Sequence, residues 1–167
     1  MGNENMKAEP TNAAGEALLY LEDLKTGIFG EFGALTLNKD EMISFSRQYD
    51  PQAFHVDEKA AKDSIYGGII ASGLHTLSVL WRQLCDGFAL KVSGQGSPGM
   101  SSIRWLHPVR PGDTLRTRLE IQKIAPPSNM PGVGRVTLKC LILNQTDKKV
   151  LSVSATGLVQ SRLREGG

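Results

Sequence analysis

The amino-acid sequence predicts an α+β fold: one domain in which a curved antiparallel sheet of about five strands wraps around a long central helix. Between Ile69 and Phe88, apolar residues cover most of a helical wheel, which is typical of a buried helix. After residue 100, apolar residues occupy alternate positions in successive segments, which is typical of strands with one buried face. An apolar helix needs cover on nearly all sides, and a curved sheet supplies that cover.

Two short helices are predicted before the central one. Asn38–Glu41 is a helix-start signal, because an Asn cap and a Glu three residues later can satisfy free backbone donors reciprocally. This helix must end near Asp50, since the proline that follows disfavours the α conformation in the residue before it. Asp57 is placed to cap a second short helix, Glu58–Asp63. The chain between the two helices is predicted to be an irregular loop.

The strand prediction rests on alternation along the chain. A first strand is expected near Phe29–Leu37, and a weaker pattern covers Ser101–Val109. The clearest alternation is in three later segments, whose inward positions are Leu115, Thr117, Leu119 and Ile121; Val136, Leu138, Cys140 and Ile142; and Leu151, Val153, Ala155 and Val159. A sheet of these strands around one apolar helix is the hotdog arrangement.

Turn residues mark the connections between the strands. Pro111-Gly112-Asp113 predicts a turn, and Asn144–Lys149 is expected to be a hairpin connection. Ser93–Gly99 and Ala125–Gly134 are rich in Gly, Pro and Ser, and we expect both to be loops within the domain rather than domain boundaries.

Length and composition limit the organisation of the chain. It has 167 residues, of which 40% are hydrophobic, and this fits a single domain, expected over residues 16–167. Met1–Gly15 is polar and has no apolar run of the signal-peptide kind, so we expect a flexible tail. Cys85 and Cys140 have neither the spacing of a zinc site nor the number for a disulfide framework, which favours a cytoplasmic location.

Charge and hydropathy exclude two classes of partner. The net charge of +2 is too small to hold a nucleic-acid backbone by counterion release, so nucleic acid is not an expected partner. The central helix is interrupted by His75, Arg82, Gln83 and Asp86, so it lacks the run of about 18 apolar residues that a membrane span needs. We therefore expect no membrane association.

The densest polar cluster in the sequence is Tyr49–Asp57. It contains Asp50 and His55, and a loop that starts at a proline can curl both side chains into one pocket. An imidazole that titrates near neutral pH beside a carboxylate is suited to acid/base chemistry. From the spacing alone, Asp50 could equally be a helix-end residue and His55 an ordinary loop residue. Asp57 is expected to be only a helix cap.

Three spaced segments together resemble a known family. They are Tyr49–Asp57, Tyr66–Gly73 and Pro108–Asp113, and they look like the MaoC-like family of hotdog hydratases and dehydratases, which includes the (R)-specific enoyl-CoA hydratases. The resemblance spans roughly Leu21 to Arg162. The family signature runs Asp-x-Asn-Pro-x-His-x-Asp, followed after a short helix and a loop by Ile-Ala-His-Gly. This chain departs from it with Gln and Ala in place of Asn-Pro, and with Ser in place of His.

The resemblance implies a role for each matching residue. Asp50 and His55 would be the catalytic pair, which activates a water that adds across the double bond of an enoyl thioester and exchanges a proton with the α-carbon. The backbone N–H of Gly73 would bind the thioester carbonyl, where the start of a helix favours developing negative charge. Ser72 and Gln52 are expected on the substrate-binding side of the site.

We therefore expect hydration of a trans-2-enoyl-CoA to the (R)-3-hydroxyacyl-CoA, or the reverse dehydration. No cofactor is expected beyond the coenzyme A of the substrate, and a homodimer or dimer-based oligomer is expected from the resemblance. One alternative keeps the fold but hydrolyses the thioester, and the Asp50/His55 pair argues against it. Another is a non-catalytic acyl-CoA-binding hotdog protein, which the departures at Gln52, Ala53 and Ser72 leave open.

Other ionisable residues carry weaker expectations. His75 on the buried central helix is expected to be a hydrogen-bonded structural side chain rather than a catalytic group, and His107 at a strand end is also expected to be structural. With His55 they lack a compact metal-ligand spacing, so no metal site is expected. The candidates for contact with the coenzyme A phosphates, among which the sequence does not choose, include Arg82, Arg104 and Arg110.

Overall fold

The computed structural model of the chain describes residues 11–127 and 129–163. Within those ranges the polypeptide forms five strands and four α-helices. The strands are β1 (Gly27–Thr36), β2 (Gly94–Trp105), β3 (Thr114–Ala125), β4 (Val133–Leu143) and β5 (Lys149–Gln160). The helices are α1 (Lys39–Tyr49), α2 (Ala53–Val56), α3 (Glu58–Asp63) and α4 (Gly73–Leu84), and α4 continues into a π-helical segment, Cys85–Ala89.

The five strands form one antiparallel sheet in the order β1-β3-β4-β5-β2. The sheet curves around α4, and the core lies between them. Its largest fully buried side chains include Leu80 of α4 and, from the strands, Leu115, Leu119, Ile121, Ile142 and Leu151. Each such side chain contributes about 1.5–3 kcal/mol when it leaves water, so this layer is the main source of stability. The predicted fold class is confirmed.

The helix caps that the sequence predicts are present. The Asn38 side-chain oxygen accepts a hydrogen bond from the Glu41 backbone N–H at 2.8 Å, and α1 begins at the next residue after the cap. The Glu41 carboxylate meets the Asn38 side-chain amide at 3.3 Å, rather than the backbone N–H of a reciprocal cap. Asp57 caps α3 by accepting from the Ala60 N–H at 2.8 Å.

The central helix differs from its prediction in two respects. It begins at Gly73, four residues later than predicted, because residues 69–72 run in an extended conformation and the Ala71 N–H donates to the Val109 carbonyl at 2.9 Å. It is also not buried on all sides, since Leu74 and Trp81 remain 48% and 41% exposed. The extended entry matters for function because it places the first turn of α4 beside the loop that follows α1.

Two predicted loops contain regular structure. The segment through His55 includes the one-turn helix α2, which turns the imidazole inward. Residues 94–99, predicted as a loop, are the start of edge strand β2. The pairing of β2 with β5 is irregular there, and Gly96 and Gly99 adopt positive φ values of 105° and 157°. Glycine permits such bulged backbone, so a glycine-rich sequence still forms a strand.

The other connections agree with the sequence. A turn closes at Pro111-Gly112-Asp113, with the Asp113 N–H donating to the Arg110 carbonyl at 3.0 Å, and residues 144–148 connect β4 to β5. Of the predicted tail, residues 1–10 lie outside the described residues. Thr11 forms an isolated bridge with Ala17, and the intervening turn is closed by the Asn12 side chain. No helix among the described residues is long and apolar enough to cross a membrane.

Candidate active site

Three segments that are separate in sequence meet at one cavity of about 570 Å³. Asp50 ends α1, His55 lies on α2, and Gly73 begins α4. The proline after Asp50 stops α1, and the short helix that follows brings His55 back toward the carboxylate. The cavity is also lined by Gln52 and by Trp105 at the end of β2. The structure thus brings together both predicted catalytic residues and the predicted carbonyl-binding amide.

Asp50 and His55 form a directly interacting pair. The His55 Nε2 atom lies 3.4 Å from Asp50 Oδ2. On the other side of the ring, Nδ1 lies 2.9 Å from the Ile70 carbonyl oxygen. Because a carbonyl oxygen can only accept, Nδ1 carries the hydrogen, so Nε2 is the ring nitrogen that faces the carboxylate and can take up or release a proton. His55 is therefore oriented as a base whose protonated form the carboxylate would stabilise.

Two further side chains hold the Asp50 carboxylate. The Ser72 hydroxyl donates to Oδ2 at 2.6 Å, and the Gln52 amide donates to Oδ1 at 2.8 Å. Burial by itself would raise the pKa of Asp50, but the hydrogen bonds from Ser72 and Gln52 and the nearby His55 outweigh it, so the pKa of this carboxyl lies below its usual value. Asp50 is thus an anion at neutral pH.

Ser72 has a second role, because it is also the N-cap of α4. Its hydroxyl oxygen accepts from the Leu74 N–H at 3.2 Å. The N–H of Gly73 is the first amide of the helix and has no partner within it, since the amides of the first turn have no carbonyl one turn earlier. This N–H lies at the positive end of the helix dipole, where it suits an oxygen that gains negative charge.

The two side chains predicted on the substrate-binding side, Gln52 and Ser72, contact Asp50 in the structure. Gln52 and Ser72 both direct their donors at Asp50, so in this structure they support the carboxylate. A contact with substrate stays a prediction for both. The amide at Gln52 fills a role that the sequence pattern did not reveal, because its partner is two residues away and only the sharp turn after α1 brings the groups together.

The other two histidines agree only in part with their structural predictions, because His75 is not hydrogen-bonded at Nδ1 within the described residues. His75 is 5% exposed and stacks on Phe45 with ring centroids 4.4 Å apart, and burial lowers its pKa. Its Nδ1 atom has no hydrogen-bond partner within residues 11–127 and 129–163. The Nδ1 atom of His107 is hydrogen-bonded to the Lys149 carbonyl at 2.8 Å, but this residue also lines the cavity. Across the described part of the chain there is no cluster of three or more side chains suited to a metal.

Two of the three arginines considered for contact with the coenzyme A phosphates already bind other groups of the domain. The Arg110 guanidinium donates to the carbonyls of Tyr66 and Gly68 and so fixes the loop before α4. Arg82 pairs with Asp86 one turn later at 2.9 Å. None of the described residues that line the cavity is a lysine or an arginine. Arg110 is therefore a structural residue of the loop.

Trp105 is the main feature of the site that sequence reasoning missed. Its indole N–H donates to the Gly73 carbonyl at 3.0 Å, and its ring lies against the glycine. A Cβ atom at position 73 would lie 2.7 Å from the indole nitrogen, which is closer than real contacts allow. The two residues are 32 positions apart and on different elements, so no local signal connects them.

Comparison with known proteins agrees with this geometry. Residues 29–139, more than half of the chain, match the family model of the MaoC like domain. The chain belongs to the MaoC-like domain family. The uncharacterized protein YdeM of Bacillus subtilis (strain 168) is 32% identical to this MaoC-like protein over 145 residues, which are 85% of this chain and 99% of YdeM.

Solved structures extend the likeness to the fold. The MaoC-like dehydratase from Rhodospirillum rubrum matches with a TM-score of 0.75 and 31% identity, over 87% of this chain and 99% of that one. The R-hydratase PhaJ1 from Pseudomonas aeruginosa matches with a TM-score of 0.69 and 21% identity, over 90% and 94% of the two chains. The family resemblance and the hotdog fold are confirmed, and hydration and dehydration are the general chemistry of this group.

Proposed function

We propose that this MaoC-like protein adds water to trans-2-enoyl-CoA thioesters to give (R)-3-hydroxyacyl-CoA, or catalyses the reverse dehydration. The observation that carries the proposal is the Asp50–His55 pair, with 3.4 Å between carboxylate and imidazole, in the same cavity as the first amide of α4. The pair supplies a base and a stabilising anion, and the amide supplies a donor for the thioester oxygen. Addition of water to a conjugated thioester needs these groups.

The proposed reaction begins with the thioester carbonyl oxygen accepting a hydrogen bond from the Gly73 N–H. A water held at the pair loses a proton to His55 Nε2, and its oxygen forms a bond to the β-carbon of the substrate. The electron pair of the double bond moves toward the carbonyl, and the negative charge on its oxygen is stabilised at the helix start. The imidazolium, stabilised by the Asp50 anion, then returns its proton to the α-carbon.

This chemistry requires no redox group, because addition of water neither oxidises nor reduces the substrate. The proton that His55 takes from water is the one that the α-carbon receives, so no proton is gained or lost overall. We therefore expect turnover without an added metal or cofactor, with coenzyme A entering only as part of the substrate.

We also propose that two copies of the chain assemble through edge strand β2. Nearly all residues of β2 are exposed, and it pairs on one side only, with β5. An unpaired edge of this length is a template for another strand unless something covers it. Met100 on this strand is an exposed apolar side chain. A homodimer would bury this side chain. We also propose a cytoplasmic location, because free cysteines fit a reducing compartment.

Two simultaneous readouts of one reaction test the proposed activity. Crotonyl-CoA, a four-carbon trans-2-enoyl-CoA, loses its conjugated thioester absorbance when water adds to the double bond, and a thiol reagent reports hydrolysis of the thioester. We expect absorbance loss without thiol release, and a product that an (R)-specific 3-hydroxyacyl-CoA dehydrogenase oxidises. Equal rates of absorbance loss and thiol release would instead indicate a thioesterase. Binding without either signal over a panel of chain lengths would indicate a non-catalytic protein.

A further inference from the structure

The strongest unassigned feature near the site is the indole ring of Trp105. It is the last residue of edge strand β2, where it pairs with Leu151 of β5, so the sheet fixes its backbone. Its indole N–H donates to the Gly73 carbonyl at 3.0 Å, so the residue is held both at its backbone and at its indole nitrogen. It is nevertheless 52% exposed and lines the cavity that holds Asp50 and His55. A large aromatic surface thus stays open toward the site and is held rigidly.

The ring lies beside the Gly73 amide. Three ring atoms lie 2.7–3.2 Å from the position that a Cβ atom of residue 73 would occupy. That position is itself roughly 2.5 Å from the Gly73 nitrogen by standard backbone geometry. The indole nitrogen is therefore at most about 5 Å from the Gly73 nitrogen, which places the ring beside any acyl group whose oxygen accepts from this N–H.

We propose that Trp105 is a substrate-contact residue, whose indole ring packs against the thioester group bound at the Gly73 N–H. The proposal rests on the hydratase function proposed above and adds a specificity determinant to it. Trp105 also explains the glycine, because a side chain at position 73 would collide with the ring that forms this wall of the site. A flat, rigid ring favours a planar conjugated thioester, since the plane of the substrate can stack on it.

Fluorescence of a protein with one tryptophan tests the contact directly. The chain has two tryptophans, and Trp81 lines a different cavity near the far end of α4. Trp81→Phe therefore leaves Trp105 as the only tryptophan. Butyryl-CoA is the probe, because it is saturated and cannot be hydrated, and free coenzyme A is the control. We expect butyryl-CoA to change the Trp105 emission with a Kd equal to its inhibition constant against crotonyl-CoA, and free coenzyme A to change it much less.

Steady-state kinetics provide the second test, with a substitution of the other tryptophan as the matched control. Trp105→Ala should lower kcat/KM for crotonyl-CoA by about 10–100-fold, because burial of an aromatic side chain against the ligand is lost. Trp105→Phe should recover most of this loss, since it keeps a flat aromatic ring, although the ring is smaller and lacks the N–H. Trp81→Ala should stay within about twofold of the wild type. If Trp105→Ala does not fold, the fluorescence of Trp81→Phe still decides the question.

The outcomes separate this inference from the proposed activity. Turnover of crotonyl-CoA with Trp105 emission unchanged by butyryl-CoA would overturn the contact and leave the hydratase function standing. A change in Trp105 emission without turnover of any enoyl-CoA would support the contact and overturn the hydratase function. Turnover together with a saturable change in emission would support both, and the absence of both signals would overturn both.

Discussion

Replacement of Gly73 by alanine should destabilise the protein, although alanine is the better helix former by about 1 kcal/mol. The added Cβ would lie 2.7 and 2.8 Å from the indole Nε1 and Cε2 atoms of Trp105. Carbon atoms pack at about 3.5–4.0 Å, so the ring has to move by roughly 1 Å. Overpacking of this kind costs about 1–3 kcal/mol, and the displaced ring loses its hydrogen bond to the Gly73 carbonyl, worth about 1 kcal/mol.

The net loss is about 2 kcal/mol, which for a chain of this size lowers Tm by roughly 4–8 °C. Thermal unfolding of Gly73→Ala, Trp105→Leu and the double variant measures it. In the double variant the ring is absent, so the methyl group should then cost little and the two effects should not add. Gly157→Ala is the matched control, because the nearest atom to its Cβ lies at 3.9 Å, an ordinary contact. A Tm of Gly73→Ala at or above that of the wild type would show that the ring accommodates the methyl group without loss.

Three other properties should respond to specific changes. Ser72→Ala removes a hydrogen bond that lowers the pKa of Asp50. The limb of the pH profile of kcat/KM that requires ionised Asp50 should therefore move to higher pH. The control Ser78→Ala, at an exposed position on the same helix, should leave this limb in place. Gln83→Leu leaves a buried carbonyl and a buried hydroxyl without their partner, so urea unfolding should show a loss of about 2–3 kcal/mol, and an unchanged midpoint would contradict this. Deletion of Met1–Gly15 should leave Tm and turnover nearly unchanged, and a fall in either would mean that this segment docks on the domain.

Periodicity and capping predicted most of the fold. The alternation in β3 and β4 identified their buried faces, because alternate side chains of a strand point to opposite sides of the sheet. In β5 the residues predicted to point inward are buried, but so are Val150 and Ser152 between them. The Asn38 and Asp57 caps fixed the starts of two helices because capping is a local interaction between residues three positions apart. These features depend on neighbours in sequence, and such neighbours can be recognised without a structure.

The start of α4 and the start of β2 were wrong because tertiary contacts decide them. Residues 69–72 are apolar enough for a helix, but the Ala71 N–H pairs with the Val109 carbonyl, 38 positions later, and this keeps them extended. The glycines of residues 94–99 look like a loop until β5 supplies a partner strand. Local propensity is a weak guide where a partner distant in sequence competes for the same backbone groups.

At the site, the sequence predicted the Asp50/His55 pair but not the contacts that hold the site together. Asp50, His55 and Gly73 were found through a resemblance of spaced motifs, and the structure places all three at one cavity. The contacts of Ser72 and Trp105 depend on how three elements pack, which no spacing encodes. The sequence therefore identified the Asp50/His55 pair and its neighbours Ser72 and Gln52, but not the contacts of these neighbours with Asp50, and it did not identify Trp105.

The most direct test of the account is a double-mutant cycle on the catalytic pair, measured as hydration of crotonyl-CoA. Asp50→Asn and His55→Ala should each lower kcat by about 10²–10⁴-fold, the usual contribution of positioned acid/base groups. Asp57→Asn, which changes only a helix cap, is the control for loss of a nearby carboxylate. We expect the double variant to be about as slow as the slower single variant, because the two groups act on one water. Losses that multiply, or wild-type kcat in a folded Asp50→Asn protein, would contradict it.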